Sequence, residues 1–148
     1  MFDETTHPPT WQIAMPPGMR LLNANDRLHR MAEARIIKAL REAAWVMFLA
    51  SKIPTQERIY IQGVYCPLDG RRVAKRDPAN WQPTYKALVD GLIAPNKDIA
   101  RLQAAGRYRL GLLPDDNHTH LVGPDPRLGP VVTGGQIILR IWPLPALP

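Results

Sequence analysis

The carboxylates that could do chemistry in this chain are Asp77, Asp90 and the adjacent pair Asp115-Asp116. Asp77 opens the run Asp77-Pro78-Ala79-Asn80-Trp81-Gln82-Pro83, and Lys86 and Asp90 follow with a spacing of four that places both on one helix face. Hard carboxylate oxygens suit Mg²⁺, which keeps several of its waters, so two or three such ligands are enough. The chemistry this serves is phosphodiester hydrolysis. The diester is already anionic and repels nucleophiles, and a bound Mg²⁺ neutralises charge, acidifies a water and orients the leaving oxygen. Asp77 and Asp116 are the candidate metal ligands. Asp115 and Asp116 would point apart on an extended loop, so only one of them faces the site. Lys86 would stabilise charge developing on the phosphate or position the attacking water. Plainer readings stand beside these: Lys86 and Asp90 as an exposed ion pair contributing about 0.3–0.5 kcal/mol, and Asp77 as the opener of an Asp-Pro turn.

The charge around these residues fits a polyanionic partner. The net charge is +6, and Arg71, Arg72, Lys75 and Arg76 crowd the positions just before Asp77. Arg101, Arg107 and Arg109 precede the second aspartate pair. Asn23, Asn25 and Arg27 could hold phosphate through side-chain donors, or simply cap a loop. His118 and His120 would share a strand face and, with Asp116, could make a transition-metal site; otherwise they are solvated or His118 lies near the scissile phosphate. Trp81 opens a helix and packs beneath the site, with stacking on an opened base as the alternative. Trp45 reads as core or dimer surface. The single cysteine, Cys66, excludes an intrachain disulfide and a cysteine-based zinc site, and reads as a small buried hydrophobe.

The elements that must position these residues follow from periodicity. With 148 residues the chain fits one domain, able to fold without staples. Trp11 to Ala14 starts a first strand, stopped by Pro16-Pro17-Gly18. Leu21 to His29 is a loop. A long helix over roughly Leu28 to Ser51 carries Ile36, Leu40, Ala43 and Met47 on one face, with Ile37, Ala44 and Phe48 beside them. Arg58 to Cys66 alternates as a strand, with Gly63 as a bulge. A second helix begins near Asn80 to Pro83, capped by Asn80, and ends at Gly91 as its C-cap. Residues 94–110 read as an insertion of weak helical signal. Leu121-Val122 begins a short strand halted by Gly123-Pro124, and Gln136 to Trp142 is the last strand. Residues 1–10 and 143–148 are expected to be loose tails. The order β-α-β-α-β-β predicts an α+β domain, two main helices packed on a small mixed sheet. The longest apolar runs, such as Ala43 to Ala50, are far too short for a bilayer. The opening residues lack the apolar core of a signal peptide, so a cytoplasmic protein is expected.

Together these segments resemble the RusA family of Holliday junction resolvases, small endonucleases of phages and prophages. That family has an Arg-Asp-x-Asp-Asn segment, a helix with Lys-x-x-x-Asp, and a later Asp-Asp pair. Arg76-Asp77 and Asn80 match the first. Lys86 and Asp90 match the helix when Gln82-Pro83-Thr84 is read as a three-residue insertion, and Asp115-Asp116 match the last. Leu21 to His29 looks like the family's Asn- and Arg-rich segment. The likeness runs from about Trp11 to Trp142. It implies a RusA-like α+β fold and a homodimer that binds four-way junctions. The implied activity is that of a crossover junction endodeoxyribonuclease, cutting symmetric strands with Mg²⁺, or Mn²⁺ in its place, in DNA recombination and repair. By the match Asp77 and Asp116 are metal ligands and Lys86 is catalytic.

One departure matters. The second carboxylate of the family's Asp-x-Asp falls on Ala79, which has no ligand atom. Asp90 or Asp115 would then have to supply the missing oxygen; Asp69, before the basic loop, is a poorer substitute. If none does, the alternative is a non-catalytic protein that binds junctions or other branched DNA. A third reading is a different small basic nuclease or an RNA-binding module.

Overall fold

A computed structural model of the protein describes residues 6–71 and 76–148. It is a mixed α+β fold. The elements run β1 (Trp11–Ala14), α1 (Arg30–Ser51), β2 (Ile59–Cys66), a 3₁₀ turn (Pro78–Trp81), α2 (Gln82–Ile93), α3 (Lys97–Ala104), β3 (Leu121–Leu128) and β4 (Gln136–Pro143). The four strands form one sheet in the order β1-β4-β2-β3, with β2 and β3 parallel and the other pairs antiparallel.

Helices α1 and α2 pack on one face of that sheet. The face is built from alternate strand positions: Ile13 of β1, Ile59, Ile61 and Tyr65 of β2, and Ile137, Leu139 and Ile141 of β4. Leu40, Ala44, Trp45 and Phe48 of α1 meet it, with Ile36, Ile37, Ala43 and Met47 at the margin. This is the apolar stripe read from the sequence, and Trp45 belongs to the core. His29 caps α1 by accepting a hydrogen bond from the Met31 amide.

Four local expectations are corrected. Strand β2 is buried along its whole length rather than on one face, because it lies between β4 and β3 and the segment after β3 covers its second side; a Cβ at Gly129 would meet Val64 and Cys66. Gly63 is no bulge. Its pairing with β4 is unbroken, the one register shift lies between Tyr60 and Gln62 against β3, and Gly63 has no side chain because the Tyr85 ring lies against it. Gly91 is inside α2 rather than past its end. A Cβ there would strike the Arg41 backbone, so this glycine is where the two helices cross, and Ala94 ends the helix. Strand β3 does not stop at Gly123-Pro124 but passes through a cis Gly123–Pro124 bond to Leu128.

The segment read as an insertion contains α3, capped by Asn96, whose side chain accepts from the Ile99 amide. The described part of the N-terminal stretch is tied down: the Thr10 amide donates to Ile141 O, and the Trp142 indole donates to His7 O. Among the described residues no helix is long and apolar enough to cross a membrane.

Candidate functional site

The helix spacing of Lys86 and Asp90 brings them together on the open side of α2, and the loop between α3 and β3 brings Asp116 to the same place. Lys86 Nζ donates to Asp90 Oδ1 at 2.9 Å and to Asp116 Oδ2 at 2.8 Å. The Lys86 side chain is 66% exposed, against 27% for Asp90 and 35% for Asp116, so the ammonium lies over two half-sheltered carboxylates. The hydrogen bond from Lys86 holds the Asp116 carboxyl below its ordinary range, against the opposing pull of partial burial. The bonds to Asp116 and then Asp90 hold the Lys86 ammonium above its own. Two carboxylates thus surround one ammonium, a formal charge of −1 over the triad.

Asp115 turns the other way. Its Oδ1 accepts from the Asp116 amide at 2.7 Å and its Oδ2 from Asn117 Nδ2 at 3.2 Å. Both oxygens close their own loop, so Asp116 is the member of the pair that reaches Lys86.

Asp77 occupies a neighbouring cleft. It caps the 3₁₀ turn, its Oδ1 accepting from the Ala79 amide at 2.9 Å, while its Oδ2 has no hydrogen bond among the described residues. Neither the Asn80 side chain nor any other side chain caps α2 itself; the turn begun by Asp77 leads straight into it. The cleft, about 220 Å³, is lined by Asn23, Tyr65, Arg76, Asp77, Asn80 and Trp81. A second cleft of about 310 Å³ shares Tyr65 and Trp81 and opens toward Gly18, Arg20 and Leu21.

These walls are held by specific contacts. Thr84, fully buried, accepts from the Leu22 amide at 2.7 Å and donates to Leu22 O at 2.8 Å, and the Ala24 amide donates to Asn80 O. The Asn-rich loop is thus stitched to the start of α2. Arg76 donates to the Tyr65 hydroxyl at 3.1 Å, to Asp69 Oδ1 at 3.0 Å and to Arg71 O at 3.0 Å. The Tyr65 ring in turn stacks on Trp81 with centroids 4.5 Å apart. Tyr85 joins the two halves: it lies on α2 beside Lys86, and its hydroxyl donates to Pro78 O at 3.1 Å. Burial pushes that phenol well above its ordinary pKa, so it stays a donor.

The other expected residues divide. Asn23 lines the Asp77 cleft. Asn25 and Arg27 are exposed on the same loop, and the Asn25 amide donates to Asn23 Oδ1. Arg71 is exposed, while Arg72 and Lys75 lie outside the described residues. Arg101 pairs with Asp98 on α3, and Arg109 lies over the Phe48 ring, so neither is committed to the site. His118 and His120 do not share a strand face. They sit in the turn before β3, where His118 is exposed and His120 Nδ1 lies 2.8 Å from Glu57 O. Among the described residues no three His, Cys, Asp or Glu side chains converge as a metal-holding group.

Magnesium fits the donors present in kind. They are hard carboxylates, two of them gathered at Lys86, and two suffice when waters complete the shell. Sequence reading missed Thr84, Tyr65 and Arg20. Thr84 gives no signal in the sequence beyond a hydroxyl inside an apolar helix face. No protein-family model matches the chain, and no curated protein matches it.

Proposed function

We propose that the protein is a metal-dependent phosphodiester hydrolase acting on DNA. More narrowly, the reading is a RusA-type endodeoxyribonuclease that works as a homodimer and resolves four-way junctions in recombination and repair. The observation that carries it is the single ammonium of Lys86 bonded at once to Asp90 on its own helix and to Asp116 thirty residues on. A structural ion pair on a helix needs only the first of these. Drawing a loop carboxylate onto the same lysine concentrates two negative charges and one positive one at a surface of a basic protein.

Asp116 and Asp90, gathered at Lys86, are the residues that would hold Mg²⁺ or Mn²⁺, with waters completing the shell, and the bound ion would supply charge neutralisation and a more acidic water; Asp77 stands in the neighbouring cleft and would reach that ion only after a rearrangement. Lys86, kept protonated by its two partners, donates to a non-bridging phosphate oxygen and orients Asp116. Arg71 and the loop residues Asn23, Asn25 and Arg27 would hold flanking phosphates, while Arg76, bonded to Tyr65, Asp69 and Arg71 O, would brace the wall beside them. Binding would then weaken with salt, log K falling by about 0.9 per log unit of salt for each phosphate neutralised.

A second reading has its own support. Ala79 offers no ligand atom, and its amide is already bonded by Asp77. With only two carboxylates gathered at Lys86, a junction-binding protein without cleavage is the alternative. A labelled four-way junction incubated with Mg²⁺ or with EDTA decides between them. Paired nicks that need both Mg²⁺ and Asp116 support the nuclease. Tight binding without cutting, with cutting appearing in Ala79→Asp, supports the binder.

A further inference from the structure

The two clefts beside Asp77 have a construction that phosphate binding does not require. They share an aromatic floor, the Trp81 ring, whose inner face is stacked on the buried Tyr65 ring, and the Tyr65 hydroxyl accepts from the Arg76 guanidinium. In the Asp77 cleft, the side-chain amide of Asn80 and the Nδ2 of Asn23 make no hydrogen bond among the described residues, and neither does the Trp81 indole N–H. Arg20 stands at the rim with its side chain 59% exposed and only a 3.8 Å contact to Asp26. A braced aromatic plane, open amide groups and a rim guanidinium form the set that a nucleotide satisfies. The plane takes a base, the amides read its edge, and the guanidinium takes its phosphate. A surface that served only the DNA backbone would carry cations in place of the aromatic floor.

We propose that these adjoining clefts bind one unpaired nucleobase of the DNA, stacked on the outer face of Trp81, which Tyr65 backs, and read at its edge by Asn80 and Asn23. The inference rests on the nuclease reading in one respect: the base would belong to the strand whose phosphate approaches Asp77. The residues give the base a definite place. The backbone on one side of it runs toward Asp77, and on the other toward Arg20. An unstacked base is available at forks, flaps and junction crossovers and absent from continuous duplex. The cleft would therefore favour branched DNA by capturing what branching exposes.

The test is a binding cycle in EDTA, where no cutting occurs. A forked duplex carries, at the first unpaired position, either thymine or an abasic site. The wild type should bind the thymine fork about 5- to 100-fold tighter than the abasic fork, the worth of one base–aromatic stack. Trp81→Ala should remove that ratio, and Trp81→Phe should keep most of it. Asn80→Ala leaves the floor intact and should flatten the preference among the four bases at that position. Equal affinity of the wild type for thymine and abasic forks overturns the proposal, as does a ratio that survives Trp81→Ala. If Trp81→Ala fails to fold, the wild-type ratio and the Asn80→Ala base preference decide. Junction cleavage with no base dependence would sink this inference alone. Base-dependent binding without Mg²⁺-dependent cleavage would sink the nuclease reading alone.

Discussion

The Lys86 triad and the Asp77 cleft lie at successive parts of one segment, yet they are built on opposite principles. At Lys86 the charges satisfy one another: an ammonium is shared by two carboxylates, and these bonds favour the ionised forms of Lys86 and Asp116. At Asp77 the polar groups hold the backbone, through the Ala79 amide and the braced Tyr65, and leave open donors and an open carboxylate oxygen facing a cavity. The first region has its charge fixed by its own partners. The second has its shape fixed and its hydrogen bonds unfilled, the condition of a surface awaiting a larger ligand. Tyr85 connects them, with its ring against Gly63 and its hydroxyl on Pro78 O.

The sharpest way to break this division is to compare the two neighbouring aspartates. Asp116→Asn keeps the shape but removes the charge that binds Lys86 and would bind metal. Junction cleavage should fall by at least about 100-fold, since even partners one step removed from a metal ligand cost 10- to 100-fold. Asp115→Asn alters a side chain bonded to its own loop and should stay within a few-fold of wild type. Equal losses in the two variants would mean that the loop as a whole, and not Asp116, is what matters.

Gly63→Ala strikes the joint between the regions. The new Cβ would lie 2.6–2.7 Å from three atoms of the Tyr85 ring, which is fully buried and cannot swing away. Overpacking of this kind costs about 1–3 kcal/mol. Urea denaturation should show it, and DNA affinity should drop with it because the Pro78 turn follows Tyr85. A stable variant with normal binding would show that the ring has freedom the packing denies. Tyr85→Phe is the milder form. It removes one hydrogen bond to Pro78 O and should cost about 0.5–1.5 kcal/mol.

How much of this was legible beforehand depends on which interactions set each element. The α1 stripe and β4 were visible because their burial follows period 3.6 or 2, which a sequence carries openly, and β2, buried throughout, was visible by its run of β-branched and aromatic residues. Lys86 and Asp90 were visible as a helical pair, and Asp116 as one of two alternatives. Other features were set by contacts distant in sequence. Gly91 reads locally as a helix stop and is in fact the crossing point with Arg41. Gly123-Pro124 reads as a strand end, yet β3 continues because its partner is the buried β2. Thr84 matters only through Leu22, 62 residues earlier. The braced floor of Tyr65 and Trp81 joins a strand to a turn that the intervening basic loop separates.

The smallest effect tests whether the triad is there for stability at all. The Asp116 pKa is lowered in the fold, so its contribution is complete above its ordinary value of 3.8 and is lost as pH falls through the lower folded value. The Lys86 pKa is raised, so its contribution is complete below its ordinary 10.5 and is lost as pH rises through the higher folded value. Between those limits the ion pairs contribute a constant amount. With Lys86 two-thirds exposed, solvent screening reduces that amount to a few tenths of a kcal/mol. Unfolding midpoints of wild type and Lys86→Met should accordingly differ slightly near pH 7 and converge in acid, as Asp116 takes up its proton below its ordinary 3.8. A gap above about 2 kcal/mol at neutral pH would make the triad a structural clamp and remove the main support for a catalytic lysine. A small gap would mean that a large loss of cleavage in the same variant cannot be charged to unfolding and belongs to the chemistry at Lys86.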